Sequence, residues 1–133
     1  MSDSIYLQEE MLKHETKVMK AFKAKHHFSS DLLTKTGEIL VFLKNEFENN
    51  YNDDSVIIKA NLCNELVVEM VNSEWLEVIP AKYEGFDATL FGFSNSKEVI
   101  LKKEIEIIND ALVAYKTRQY QFLYAYISYL CFV

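Results

Sequence analysis

The chain has 133 residues, half of them hydrophobic, and a formal net charge of −6 at pH 7. At this length folding buries roughly two-thirds of the surface that the unfolded chain exposes, so we expect residues 1–133 to form a single helix-rich domain without disulfides or a structural metal. The single arginine, Arg118, and the excess of acids argue against direct binding of nucleic acid, which requires clustered basic side chains.

The start of the chain and its two cysteines predict a cytoplasmic location. Asp3 lies where a signal peptide needs positive charge, and no apolar stretch follows it. Cys63 and Cys131 are far apart in the sequence and lack the spacing of metal ligands. We therefore expect them to be small buried hydrophobic side chains in a reducing compartment, with no redox role.

Three amphipathic helices are predicted in the first half of the chain, because apolar residues recur there at helical spacing. The second helix has N-cap candidates at residues 29–31. Gly37 offers a break in its first turn, which would leave Thr36 as a later N-cap. The predicted helices span residues 4–27, about 29–47 and 55–71, and a polar loop at residues 48–54 separates the last two.

The pattern changes from period 3.6 to period 2 after Trp75. Apolar and polar residues alternate over residues 76–78 and again over residues 86–90, with Pro80 and Gly85 between the two runs. Alternation of this kind is typical of strands with one buried face. The sequence therefore predicts a small β-hairpin that helices must cover, because an isolated hairpin is only marginally stable.

The last quarter of the chain carries an apolar seam with steps of four and three residues, which predicts one long C-terminal helix, or two in line, packed along its whole length. The residues that follow Arg118 are uncharged, but they number only 15, fewer than the roughly 20 that span a membrane. We expect a buried helix or a dimer seam here, and no membrane anchor. The seam comprises Leu101, Ile105, Ile108, Leu112, Tyr115, Gln119, Phe122, Tyr126, Tyr129 and Val133.

Together these segments predict a mainly α fold. We expect a bundle of about four helices with a long C-terminal helix and a small β-hairpin insertion, and an α+β fold is the second choice.

No catalytic, metal or nucleotide motif stands out in the sequence. His14 follows Glu10 by four residues, which differs from the Glu-x-x-His spacing of di-metal bundles, and no second copy occurs. There is no Gly-x-Ser-x-Gly and no glycine-rich phosphate loop. We therefore expect no enzymatic activity, no metal and no cofactor.

The charge distribution is the strongest functional clue. Residues 46–87 hold ten acids against two lysines, Lys59 and Lys82, so this segment carries −8. Concentrated like charge does not stabilise a fold, but it can steer and hold a partner of opposite charge. Plain solubility is the simpler explanation of the same charge.

The sequence thus predicts a small acidic binding protein that neutralises or inhibits a basic partner protein, such as an immunity or antitoxin protein for a nuclease toxin. Aromatic residues among the acids fit this hypothesis, because tight interfaces use aromatic anchors surrounded by charge. The predicted partner-binding residues are Glu46, Asp53, Asp54, Glu65, Glu69, Glu74, Trp75 and Glu77.

Two alternatives remain open at this point. The C-terminal seam could join two copies in a helical homodimer that serves as an adaptor or regulator, with Gln119 fixing the register. In the other alternative, His14 faces an internal pocket of an enzyme or ligand-binding bundle.

Overall fold

The computed structural model describes residues 30–133. The predicted first helix, with His14, lies outside the described residues. The described part is mainly helical and contains no strand, which confirms the prediction of a helical bundle. The helices are α1 (Ser30–Asn49), α2 (Asp53–Asn72), α3 (Ala88–Ser94), α4 (Lys97–Lys116) and α5 (Tyr120–Phe132), with a 3₁₀ turn at Ala81–Tyr83.

The four longer helices form a bundle in which each packs against two neighbours. The order around the bundle is α1, α2, α5, α4. Contacts near both ends of each pair show that neighbours are antiparallel: for example, Lys59 of α2 meets the end of α5, whereas Trp75, just beyond α2, packs on Tyr120 at the start of α5. The diagonal helices α2 and α4 are therefore parallel, and the chain between them must return along the bundle.

Residues 73–96 make this return, and we call them the crossover segment. The Tyr83 side chain packs the middle of the crossover segment against the bundle. The side chain is buried, its hydroxyl donates to Asp110 Oδ2 of α4 at 2.5 Å, and its ring centroid lies 5.0 Å from that of Tyr129 and 5.6 Å from that of Tyr126. Burial, reinforced by the hydrogen bond to Asp110, raises the pKa of Tyr83.

The predicted β-hairpin is wrong, and the α+β alternative also lacks strands in the described residues. Residues 75–80 have no regular secondary structure, and residues 30–133 contain no strand. The second half of the pattern forms α3 instead, because the Asp87 side chain accepts a hydrogen bond from the backbone N–H of Leu90 and caps a helix.

The predicted long C-terminal helix is also wrong, because α4 and α5 are separate and pack against each other. The chain turns at Arg118, whose φ is +60°. The N–H of Gln119 donates to the Ala114 carbonyl and that of Arg118 to the Tyr115 carbonyl. This is a Schellman motif, in which glycine usually holds the left-handed position, so the sequence carries no ordinary stop signal there.

Gly37 lies inside α1 and does not break the helix. A Cβ atom built on Gly37 would lie 2.5 Å from Cζ of Tyr115. The glycine therefore lets α1 and α4 approach closely at this point.

Helix α5 lies at the centre of the fold, since α2, α3 and α4 all pack on it. Its buried apolar residues are Phe122, Leu123, Ala125, Ile127 and Leu130. Of the predicted seam, Ile108, Leu112 and Phe122 are buried, and six further residues are partly buried against the same core. These six are Leu101, Ile105, Tyr115, Tyr126, Tyr129 and Val133. In the part of the chain that is described, none of the helices has the length and apolar character needed to cross a membrane.

Candidate partner-binding surface

The two buried charged side chains of residues 30–133 form an ion pair inside the bundle. Lys59 Nζ donates to Glu104 Oε2 and to the Val133 carbonyl oxygen, both at 2.6 Å, and the side chains of Lys59 and Glu104 are each 1% exposed. Burial raises the pKa of Glu104, while Lys59 opposes the rise. Because solvent does not reach the pair, its geometry suits a structural role across the core from α2 to α4.

The cysteines lie near this pair but are poor nucleophiles. Burial raises the pKa of Cys63 to about 12 and that of Cys131 to about 11. A thiol reacts as its thiolate, so neither is activated. The two cysteines do not form a disulfide, and residues 30–133 contain no group of three or more His, Cys, Asp or Glu side chains that could hold a metal ion.

Two of the predicted partner-binding acids are paired with a lysine of the neighbouring helix. Lys35 of α1 donates to Glu65 at 2.5 Å and to Glu69 at 2.9 Å. These hydrogen bonds raise the pKa of Lys35. Glu65 and Glu69 therefore contribute less net negative charge to this face than the sequence suggests.

Three more predicted acids lie around the start of α2. Asp53 accepts from Lys97 at 2.6 Å, which lowers the pKa of the Asp53 carboxyl. Glu46 accepts from the Ser55 hydroxyl at 3.2 Å. Asp54 is exposed and makes no ion pair with another described residue.

The remaining predicted residues lie beyond the other end of α2, about 30 Å away along a helix of 20 residues. Glu74 and Glu77 are exposed in the crossover segment. Trp75 is buried, with 8% of its surface exposed, and packs against the Tyr120 ring at 5.7 Å between centroids. The structure thus places the eight predicted residues in three groups along α2 and gives Trp75 a core position.

Folding removes one of the two lysines of residues 46–87 from the surface. All ten acids of this segment remain at least partly exposed. Lys59 is buried, and Lys82 is turned toward Glu106 and Asp110 of α4, at 3.1 and 2.6 Å. Ten surface acids and one exposed lysine give −9 in place of −8. Lysines from outside the segment offset part of this charge at Glu48, Asp53, Glu65 and Glu69.

Sequence reasoning missed an exposed apolar area beside α3. Leu90 and Phe93 of α3 and Phe132 of α5 are 62%, 86% and 66% exposed. The assignment of residues 86–90 to a strand hid the exposure of Leu90, and the burial expected for α5 hid that of Phe132. The signal available was the local density of phenylalanines, which the strand prediction absorbed.

A groove of about 330 Å³ adjoins Phe132 between α2 and α5. None of its lining side chains is charged. Ala60, Asn61, Asn64 and Val67 line it from α2, and Ser128, Cys131 and Phe132 line it from α5.

Comparisons with known proteins find no match: no protein-family model fits the sequence, and neither the curated proteins nor the solved structures include a significant relative.

Proposed function

We propose that the protein is a small acidic binding protein that neutralises or inhibits a basic partner protein, in the manner of an immunity or antitoxin protein for a nuclease toxin. The observation that carries this proposal is the surface of residues 46–87, which presents ten acids and a single exposed lysine. A surface of this kind speeds the encounter with a cationic partner and disfavours neutral or acidic partners.

The acids that make no ion pair with a described residue are the ones best placed to meet a partner. They include Asp54 at the start of α2 and Glu77, Glu84 and Asp87 in the crossover segment. Glu65 and Glu69 would have to exchange Lys35 for a partner's basic group, which brings a smaller gain.

The experiment is affinity capture from the native host, with the tagged chain as bait and washes of increasing salt. We expect one stoichiometric basic protein that is released as salt rises. The patch variant is Glu77→Lys with Glu84→Lys. Its control is Glu38→Lys with Glu98→Lys, which makes the same change in net charge at other exposed sites.

The purified partner then allows the decisive measurement, which is the association rate as a function of salt. We expect the patch variant to associate more slowly than the control and to lose most of the salt dependence. The captured protein should also lose its own activity when the wild-type chain is added. Capture of no basic protein, or equal association by both variants, would contradict the proposal.

The homodimer alternative has weaker support. Helix α5 is covered by α2, α3 and α4 of the same chain, so little of the apolar seam is left for a second copy.

A further inference from the structure

Helix α2 carries a row of side chains on its solvent side that includes three exposed aliphatic residues. Ile57, Val68 and Val71 are 60%, 50% and 53% exposed. With two asparagines they recur in steps of four and three residues, a spacing that aligns side chains along one face of a helix. Isolated apolar residues are normal on a surface, but aligned ones are typical of a helix that another helix covers. We call this row the α2 stripe: Ile57, Asn61, Asn64, Val68 and Val71.

The α2 stripe borders the groove between α2 and α5. Asn61 and Asn64 belong to the stripe and also line the groove, together with Ser128 and Cys131 of α5. The stripe is about 20 Å long, given the rise of an α-helix. An exposed row of side chains beside a groove is the shape that accepts a further helix. We call the stripe and the groove together the α2–α5 face.

The α2–α5 face carries no charge in the described part of the chain. Residues 57–71 contain three charged side chains, and none of them lies on this face. Lys59 is buried, and Glu65 and Glu69 lie on the α1 side of the helix, where Lys35 binds both. Helix α5 has no charged residue. The face therefore offers nothing to attract a basic partner, and it selects its occupant by shape and apolar contact.

One segment of the same chain has a matching pattern. Residues 4–27, which lie outside the described residues, are predicted from the sequence to form an amphipathic helix. The segment contains a row with the same steps of four and three as the α2 stripe, and each row has a polar residue at its centre: His14 in the segment and Asn64 in α2. Polar residues within such rows set the register of paired helices. The row of the segment is Leu7, Met11, His14, Val18 and Ala21.

The chain connection brings the segment to the end of α2 where the stripe finishes. Asp31, at the start of α1, lines one pocket with Asn72 and Ser73, at the end of α2. Eight residues lie between Ala21 and Ser30, and they can cross the end of α2, which is about 10 Å wide. A segment that reverses direction at this point runs antiparallel to α1 and therefore parallel to α2.

The two grooves beside α1 are less suitable for an apolar row, because both contain charged groups. Lys35 connects α1 to α2 through Glu65 and Glu69, and Lys44 connects α1 to α4 through Asn109. A helix laid over either groove would remove these groups from water at a cost in free energy. The α2–α5 face imposes no such cost.

We infer that the α2–α5 face binds residues 4–27 of the same chain as a further helix of the bundle. The segment lies parallel to α2, with Val18 beside Val68 and His14 beside Asn64. Docking in this register removes the apolar side chains of both rows from water. The inference concerns an interface within the chain and does not depend on the proposed function.

The first test measures how well residues 4–27 of the full chain are protected from trypsin. The segment contains five lysines, at which trypsin cuts when the segment is not docked. Val68→Asp places a carboxylate in the proposed contact, which disfavours docking. We expect cleavage within residues 4–27 to be at least about tenfold faster in this variant than in the wild type.

Val113→Asp is the matched control. Val113 lies on α4 and is 57% exposed, close to the 50% of Val68, so the variant makes the same change of side chain and charge on another face. We expect it to leave the rate of cleavage within residues 4–27 unchanged. Both variants should keep the helical circular dichroism of the wild type, because each substitution lies at a side chain that is at least half exposed.

NMR locates the docked segment directly. We expect NOE contacts between the methyl groups of Val18 and Val68, and between those of Leu7 and Ile57. Val18→Asp should accelerate cleavage as much as Val68→Asp does. The double variant should accelerate it no further, because all three variants abolish the same docking equilibrium.

Three results would overturn the inference. The first is a wild type or a Val113→Asp variant that is cut as fast as Val68→Asp. The second is a set of NOE contacts that places Leu7 and Val18 beside a helix other than α2 or α5. The third is protection that disappears on dilution, because the face would then bind a second copy of this chain.

Discussion

The ion pair of Lys59 and Glu104 makes a clear prediction at the scale of single residues. Lys59→Met removes the ammonium group and leaves a buried carboxylate, one of whose oxygens, Oε1, already lacks a hydrogen-bond partner among the described residues. We expect a loss of about 3–5 kcal/mol in the free energy of unfolding, measured by urea denaturation.

The double variant, Lys59→Met with Glu104→Met, is the control for that measurement. It removes both charges and keeps apolar volume in the core, so it should recover most of the lost stability. A single variant that costs less than about 1 kcal/mol would show that water reaches the pair.

Cys63 predicts how stability depends on alkaline pH. Burial raises the pKa of its thiol from 9.0 to about 12. Its contribution to stability is complete below pH 9 and is lost as pH rises toward 12, because in that window only the unfolded chain releases the thiol proton. Between about pH 9 and pH 10, the free energy of unfolding should fall by about 1 kcal/mol more in the wild type than in Cys63→Ala.

The test compares the slopes of the free energy of unfolding against pH, because Cys63→Ala also changes packing and therefore the absolute stability. Leu62→Ala, a nearby packing variant with no change in titratable groups, should lower stability without altering the slope. Parallel curves for the wild type and Cys63→Ala would mean that the folded thiol ionises as freely as the unfolded one.

At the scale of helices, the turn between α4 and α5 yields a stabilising substitution. Arg118 holds φ = +60°, a region that costs residues with a side chain roughly 1–2 kcal/mol and glycine almost nothing. Arg118→Gly should therefore raise the free energy of unfolding by about 1 kcal/mol. Lys116→Gly, two residues earlier and inside α4, should lower it by about 1 kcal/mol. A loss of stability in both variants would contradict the Schellman geometry.

The local signals at helix ends explain which helices the sequence could predict. The start of α2 follows from Asn52 and Ser55, whose side chains and backbones form the reciprocal bonds of a capping box, and the observed helix begins within two residues of the prediction. The end of α4 was not predictable, because Arg118 occupies the position where glycine would mark a stop. Helix α3 was missed because its alternating pattern also suits a strand, and only the Asp87 cap and packing on α5 decide the matter.

The sequence predicts the charge of the candidate surface, but it does not predict where the individual residues lie. The acids of residues 46–87 could be counted, and folding leaves all ten at least partly exposed. Lys35 reaches Glu65 and Glu69, and Trp75 enters the core, because of how distant helices pack. The hydrophobic periodicity of the sequence does not encode that packing. The exposure of Phe93 likewise follows from the path of the crossover segment over the bundle.

For the whole molecule, the central position of α5 predicts a monomer. Leu123 is fully buried, and α2, α3 and α4 of the same chain surround its helix. Sizing with light scattering should give the mass of one chain, 15.5 kDa, at every concentration tested. Leu123→Asp should abolish folding, because an unpaired buried carboxylate costs several kcal/mol and a domain has about 5–15 kcal/mol in total.

These two measurements distinguish an internal helix from a dimer seam. If α5 joined two copies, the wild type would be a dimer that dissociates on dilution. Leu123→Asp would then give a folded monomer with helical circular dichroism, because the new carboxylate would face solvent in the absence of the partner. Phe132→Asp, at the exposed end of the same helix, should leave both folding and mass unchanged. Loss of helix signal in Leu123→Asp together with its retention in Phe132→Asp would therefore show that α5 packs within its own chain.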